Sequence, residues 1–186
     1  TGDGLQQAFY AQYETTIAKR LSIAMGLRAT HYDLTKESYS SPRIRARLNI
    51  DDHFQLKSAF NVNQQFSRQI YHEDRFGRTF EFWTLAKDNG FPVATSEQLM
   101  IGARARIAGF ELDVELYRKD TDGIIEHAQI LNGRDRIGRP PQKNDFRFFQ
   151  GDRLTRGMDL LLKKTVGGYS GWAAYTLSLI HISEPT

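Results

Sequence analysis

Residues 21–32 read Leu-Ser-Ile-Ala-Met-Gly-Leu-Arg-Ala-Thr-His-Tyr. Leu21, Ile23, Met25, Leu27 and Ala29 occupy every second position, with Ser22, Gly26, Arg28 and Thr30 among the residues between them. A period of two belongs to an extended strand, whose successive side chains point to opposite faces. A helix would return its apolar residues at intervals of three and four. Residues 21–32 are therefore read as a long strand with one greasy face and one polar face.

The same alternation recurs on both sides of this segment. Upstream, Gln7–Ile17 carries Phe9, Ala11, Tyr13 and Ile17 on one face, with a short turn at Ala18-Lys19-Arg20. Downstream, Pro42–Ile50 sets Ile44, Ala46, Leu48 and Ile50 against Arg43, Arg45, Arg47 and Asn49. Phe54 to about Gln65 sets Phe54, Leu56, Phe60 and Val62 against Gln55, Lys57, Asn61 and Asn63. Glu97–Ile107 opposes its apolar residues to Gly102, Arg104 and Arg106. Phe110–Lys119 opposes Phe110, Leu112, Val114 and Leu116 to Glu111, Asp113 and Glu115. Asp152–Lys164 and Ser170–Leu179 complete eight strands, joined by a Gly167-Gly168 turn.

The connections between these strands run short, medium, short, long, short, long, short, with the long ones at about 66–96 and 120–150. Gly133, Gly138 and Pro140-Pro141 in the second long connection oppose regular structure. Alternately short and long connections are the habit of outer-membrane barrels, and about 9–11 tilted residues suffice to cross the hydrocarbon layer. A soluble antiparallel sheet with one buried face gives the same alternation. Its strands are usually shorter, about 5–6 residues. Strand length and loop asymmetry favour an all-β fold: an antiparallel meander of about eight long strands forming a partial transmembrane β-barrel. Tyr10, Tyr13, Tyr32, Tyr117, Trp172 and Tyr175 include positions where headgroup-level aromatics would sit.

Composition sets the outer bounds. The chain has 186 residues, enough for a sizeable domain. It contains no cysteine, which excludes disulfides and thiolate metal sites. The net charge of +3 arises from 25 basic and 22 acidic residues interspersed along the chain, not the footprint of a nucleic-acid binder. No run of about 18 apolar residues is present to span a membrane as a helix. The chain opens at Thr1 without a leader pattern and is read as a piece of a longer one.

Catalytic and metal chemistry find little support. The five histidines, at 31, 53, 72, 127 and 181, lack ligand spacing. Asp120-Thr121-Asp122-Gly123 begins like a calcium loop but lacks the further acidic ligands and the closing Glu. No nucleophile elbow, phosphate loop or dinucleotide fingerprint occurs. Glu111, Asp113 and Glu115 share one strand face, where solvation in a lumen explains them better than an acid–base pair. No enzymatic activity and no cofactor are expected.

The ligand-contact candidates are the arginine rows and the loop aromatics. Arg43, Arg45, Arg47, Arg104 and Arg106 would make the lumen attractive to anions, unless acids on neighbouring strands, including the 111–115 row, neutralise them. Phe80, Phe82 and Trp83 in one long connection, and Phe146, Phe148 and Phe149 in the other, are aromatic side chains of a kind that ligands meet on loops. Phe76, Phe91 and Arg147 lie among them.

The order of segments resembles TonB-dependent receptors, especially the siderophore- and iron-type receptors of Bacteroidota. The residues carrying the resemblance are Met25-Gly26-Leu27-Arg28, Ser41-Pro42-Arg43, and Ala94-Thr95-Ser96-Glu97-Gln98 with Gly102. Phe110–Lys119, Gly151, Arg156-Gly157-Met158-Asp159-Leu160, Lys163-Lys164 and Gly171–Ser178 continue it. The match covers about residues 8–178; each motif is short and degenerate, and the order and spacing carry the specificity. It implies a receptor in the Gram-negative outer membrane, in contact with its lipid. It also implies uptake of a small-molecule ligand, such as a ferric siderophore, on energy delivered by the TonB system. No residue here matches the family's plug domain, its TonB box or the aromatic that ends its last strand. Residues 1–178 are read as part of the receptor barrel. Ser178–Thr186 resembles translated adapter sequence, and 179–186 are set apart as a non-native tail. Two other readings compete with this one: a soluble extracellular β-sandwich binding module, and a passive or enzymatic outer-membrane barrel.

Overall fold

The structure, a computed structural model, describes residues 3–73, 79–87, 91–129, 146–165 and 167–183. At 71–73, 79, 80, 82, 126–129 and 146–149 only the backbone is described. Eight antiparallel strands form one sheet: β1 (Gln6–Ile17), β2 (Leu21–Tyr32), β3 (Glu37–Asn49), β4 (Phe54–Gln65), β7 (Ala94–Ile107), β8 (Phe110–Gln129), β9 (Phe146–Lys164) and β10 (Gly171–Ser183). They lie side by side in chain order, a meander with β1 and β10 as its edges. The expected partial barrel is thus an open eight-stranded wall.

The long connection before β7 differs from the expected loop. It contains a separate hairpin of β5 (Ser67–Glu73) and β6 (Thr79–Leu85). The second long connection also holds more strand than expected. β8 and β9 run to 20 and 19 residues, about twice what crosses a bilayer, and pair as far as Gln129↔Phe146. The register slips between Thr121 and Ile124, where Gly123 has φ +72°. Such a bulge bends a strand pair and sharpens its twist. β3 begins at Glu37, so the loop expected over 33–41 contracts to a turn.

The turns at one end of the sheet are tight because their backbones fit the strand twist. Ala108 and Gly109 both have positive φ, 52° and 81°, as a two-residue hairpin turn of the twist-matching type requires. Ala18 and Lys19 adopt φ 49° and 56° in the three-residue turn between Ile17 and Leu21. Between β3 and β4, the backbone N–H groups of His53 and Phe54 each donate to Asp51 Oδ1 at 2.7 Å. Those two bonds hold the Asp51 carboxyl below its usual range.

Register settles the two faces. Directly paired residues share a face, so one apolar row runs from β1 to β7, Tyr13, Met25, Ile44, Phe60, Leu99, before Arg118 and Arg156 occupy it on β8 and β9. A second row reads Leu48, Leu56, Ala103, Val114, Leu160, Tyr175. Among the described residues no second layer covers this face. Phe9 is 79% exposed, Ile101 54% and Leu116 48%. A water-soluble sheet must bury such a face against something. A wall facing hydrocarbon needs nothing over it. The alternation inverts after Leu179: His181 falls on the apolar side, while Ile180 and Ile182 fall on the polar side.

Two outcomes follow. In lipid vesicles, I101K in the intact protein should lower unfolding stability by about 2–4 kcal/mol in a urea titration, because it places a cation at mid-height on the outer face. M100K, one position away on the polar face, should cost under about 1 kcal/mol; equal losses would mean the faces are assigned wrongly. The Asp51 turn gives the pH dependence. A carboxyl with a depressed folded pKa stabilises the fold above its unfolded value and loses that contribution as pH falls through the depressed one. The stability gap between the native protein and D51A should therefore be constant above pH ~5 and close below pH ~4.

Candidate functional site

The polar face forms the inner wall, and its side chains meet across strands in fixed rows. One row runs Ser22, Arg47, Lys57, Gly102, Glu115, Asp159. Its centre is a notch. Gly102 has no side chain, so the Lys57 stem crosses β7 and its Nζ reaches β8. There it donates to Asp113 Oδ1 at 2.6 Å and to Glu115 Oε1. A Cβ at Gly102 would stand 2.8 Å from Lys57 Cε and 2.7 Å from the Val114 carbonyl oxygen. Glycine is thus required there by close approach rather than by backbone conformation.

Asp113 is buried and shared. Arg104 Nε and Nη2 both approach its Oδ2 at 2.8 Å. Arg106 Nε donates to Glu111 Oε2 at 2.6 Å, and Arg104 Nε lies 3.8 Å from Glu111 Oε1. Lys57, Arg104 and Arg106 therefore balance Glu111, Asp113 and Glu115 in one chain of alternating charge across β4, β7 and β8. Two of the five candidate arginines, Arg104 and Arg106, belong to that chain.

The β3 arginines differ. Arg43, Arg45 and Arg47 are exposed on the inner face. Arg43 Nη2 donates to Asn63 Oδ1 at 3.3 Å. Among the described residues Arg45 and Arg47 have no hydrogen-bond or ion-pair partner. Beside them lies an open groove of about 430 Å³, lined by Gln12, Ala24, Gly26, Arg43, Arg45, Ala59, Asn61 and Asn63 among others. A second depression of about 600 Å³ opens at the short-turn end, where Arg20, Asp51, His53, Arg104 and Arg106 line it.

The aromatic candidates separate by register. In the β5–β6 hairpin, position 82 pairs with Ile70, which is buried, and position 80 shares that face. Trp83 pairs with Gln69 on the opposite face and is 67% exposed. The side chains of Phe80, Phe82, Phe146, Phe148 and Phe149 lie outside the described residues, as does Phe76 entirely; the backbone puts 146, 148 and 149 on the outer part of β9. Sequence alone gives Lys57 and Gly102 no joint role and does not bring Tyr32, Tyr39 and Phe66 together. Only the strand register could have joined Lys57 to Asp113, which lies 56 residues away. Among the described residues no group of acids and histidines is arranged to hold a metal.

Known proteins give this wall a family. A family model described as TonB dependent receptor-like, beta-barrel, matches residues 1–183. The chain belongs to this receptor-barrel family. No curated protein matches the sequence. Among solved structures, the siderophore receptor PirA from Pseudomonas aeruginosa superposes with TM-score 0.71 at 14% identity, over 97% of this chain and 35% of that one. PirA from Acinetobacter baumannii gives 0.65 at 14% identity, over 95% and 29%. The RagAB peptide transporter gives 0.62 at 12% identity, over 97% and 22%. At these identities the likeness is one of fold, and the chain spans about a third or less of those structures. The family and these neighbours are receptors and transporters rather than enzymes.

For a receptor barrel the charge chain acts as a strap across three strands. D113N removes the acid that Lys57 and Arg104 share, leaving two cations facing a neutral amide. Urea unfolding of the intact barrel should show a loss of about 2–3 kcal/mol. G102V should give a comparable loss by displacing Lys57, and the double variant should lose less than the sum. Additive losses would show that the notch and the ion pairs act independently.

Proposed function

We propose that this chain is part of the wall of a Gram-negative outer-membrane importer. It would take up a ligand such as a ferric siderophore or another nutrient on energy delivered through the TonB system. The observation carrying this reading is the two-sided wall: long strands with an uncovered apolar face, backed by an inner face of cations, carboxylates and amides. Outer-membrane lipid is the partner of the first face, and a small ligand passing the lumen is the partner of the second. The tight turns would face the periplasm, and the β5–β6 hairpin and the β8–β9 extension the outside.

Ligand contact is assigned to Trp83 and to positions 80, 82, 146, 148 and 149 outside. Within the lumen it is assigned to the arginines of β3, with Arg104 and Arg106 lower down. A soluble sandwich is disfavoured by the uncovered apolar face. A passive or enzymatic barrel shares that face and differs in needing no TonB. Setting residues 179–186 apart from the barrel rests on their adapter-like sequence and on the inverted alternation of 180–182, while β10 and the family match both continue to Ser183.

The test uses iron-limited cells whose only route for a given ferric siderophore is the intact protein. Across a panel of purified ferric siderophores, at least one should restore growth and accumulate as labelled iron, and deletion of TonB should abolish both. Accumulation that persists without TonB would overturn the importer reading in favour of a passive barrel.

A further inference from the structure

On β8 and β9 the apolar belt of the outer face ends in cations at both rims. At the short-turn end Phe110 pairs with Lys164, whose Nζ lies 5.3 Å from the Phe110 ring centroid. Eight positions further along the same two strands, Arg118 pairs with Arg156. Between these rims the face carries Leu112, Val114 and Leu116 on β8, and Leu162, Leu160 and Met158 on β9. Eight positions of a strand tilted by about 40° rise about 20 Å. The long arginine stems carry their guanidinium groups beyond that, to the edge of an apolar band about 25 Å tall. Counted from the turn end, β3, β4 and β7 keep an apolar residue at the same step, Pro42, Val62 and Leu99. The belt is therefore lowest at Arg118 and Arg156.

The two arginines stand directly opposite each other, so their Cβ atoms are about 5 Å apart. Like charges in that relation destabilise a sheet unless an anion lies between them. Arg118 is oriented by its own strand: Nε and Nη2 donate to the two Asp120 carboxyl oxygens at 2.9 and 3.3 Å. Both arginines are exposed, amid Leu116, Met158 and Leu154 on the same face. Strands that complete a barrel extend the sheet sideways and leave this face toward lipid. What stands before the pair, at that depth, is a lipid headgroup.

We propose that Arg118 and Arg156 bind the phosphate of a lipid in the leaflet on the long-loop side, held between two guanidinium forks. The planar fork matches phosphate oxygens in pairs, which a point charge does not. A lipid is favoured over a free phosphate ion by the leucines and the methionine around the pair, which acyl chains cover and an ion does not. The proposal rests on the reading of the apolar face as a membrane wall, and names one lipid chemistry that this wall selects.

The experiment is native mass spectrometry of the intact, detergent-solubilised protein. The probes are lipid A with its two phosphates, the same lipid with both phosphates removed, and inorganic phosphate. The native protein should retain the phosphorylated lipid about tenfold or more over the dephosphorylated one. R118Q/R156Q should lower that retention about tenfold or more. R28Q/K119Q, which removes the same charge from the inner face, should change it less than about twofold. Inorganic phosphate in excess should leave the lipid bound. The proposal is overturned if the two lipids bind equally, if R118Q/R156Q retains the phosphorylated lipid as the native protein does, or if R28Q/K119Q loses as much. Displacement by inorganic phosphate also overturns it, since the site would then be one for the free ion. The comparison of the two lipids needs no variant, so a folding failure of R118Q/R156Q leaves a decisive measurement. Uptake without TonB sinks the importer reading and leaves this proposal standing, while equal binding of the two lipids sinks this proposal alone.

Discussion

A sheet that faces hydrocarbon on one side and water on the other must keep its register, because a slip of one residue carries every side chain to the wrong solvent. That constraint organises this chain. Inside a bilayer each backbone group also needs a partner within the protein, which excludes loops and free strand edges at that depth. The eight-stranded wall meets this demand along its interior ladders and leaves β1 and β10 as edges. An edge of this length calls for further strands in the same sheet.

The inner face shows how register is reinforced. Lys57 reaches Asp113 and Glu115 only because Gly102 lies between them in the same row. A slip of one position between β4 and β7 would set Ile101 or Ala103 opposite Lys57 in place of the notch, and a slip of β8 would bring Val114 or Leu116 opposite Gly102. A comparable accommodation occurs at Gly157. It pairs with Tyr117, whose ring occupies the space a Cβ would need, while the Leu177 carbonyl oxygen stands 2.8 Å from that point. Glycines opposite long side chains thus let neighbours lean across strands, in place of the local packing that a side chain would give.

Much of this was legible in one dimension. β2 and β4 have the bounds that alternation assigns them, because apolar residues hold most of the alternate positions along both. Alternation alone starts β3 at Pro42, because Glu37-Ser38-Tyr39-Ser40-Ser41 offers no apolar phase, yet the strand pairs residue by residue with β2 up to Tyr32. The β5–β6 hairpin escaped because its strands are only 7 residues long and mix aromatics with charges on both faces. The arginine rows of β3 and β7 look alike in sequence. They differ in setting because β7 lies beside the acidic β8, while β3 lies between β2 and β4. Only the neighbour relation separates a neutralised row from an unbalanced one.

The bulge in β8 connects the wall to what stands above it. Past Thr121 the ladder with β9 changes register, and Gly123 takes a left-handed conformation that few other residues tolerate. Arg68 of β5 donates to the carbonyl oxygens of Gly123, in the bulge, and of Ile125, in the new register, at 3.2 and 3.3 Å. At the hairpin's root, Phe66 packs against Tyr32 and Tyr39, with ring centroids 4.9 and 5.2 Å away. The hairpin is therefore held at two places, by a guanidinium on β8 and by aromatic packing on β2 and β3. A bulge that bends the β8–β9 extension also presents the carbonyls that anchor its neighbour. The same irregularity thereby sets where Trp83 is presented, on the hairpin face turned away from the anchored Arg68.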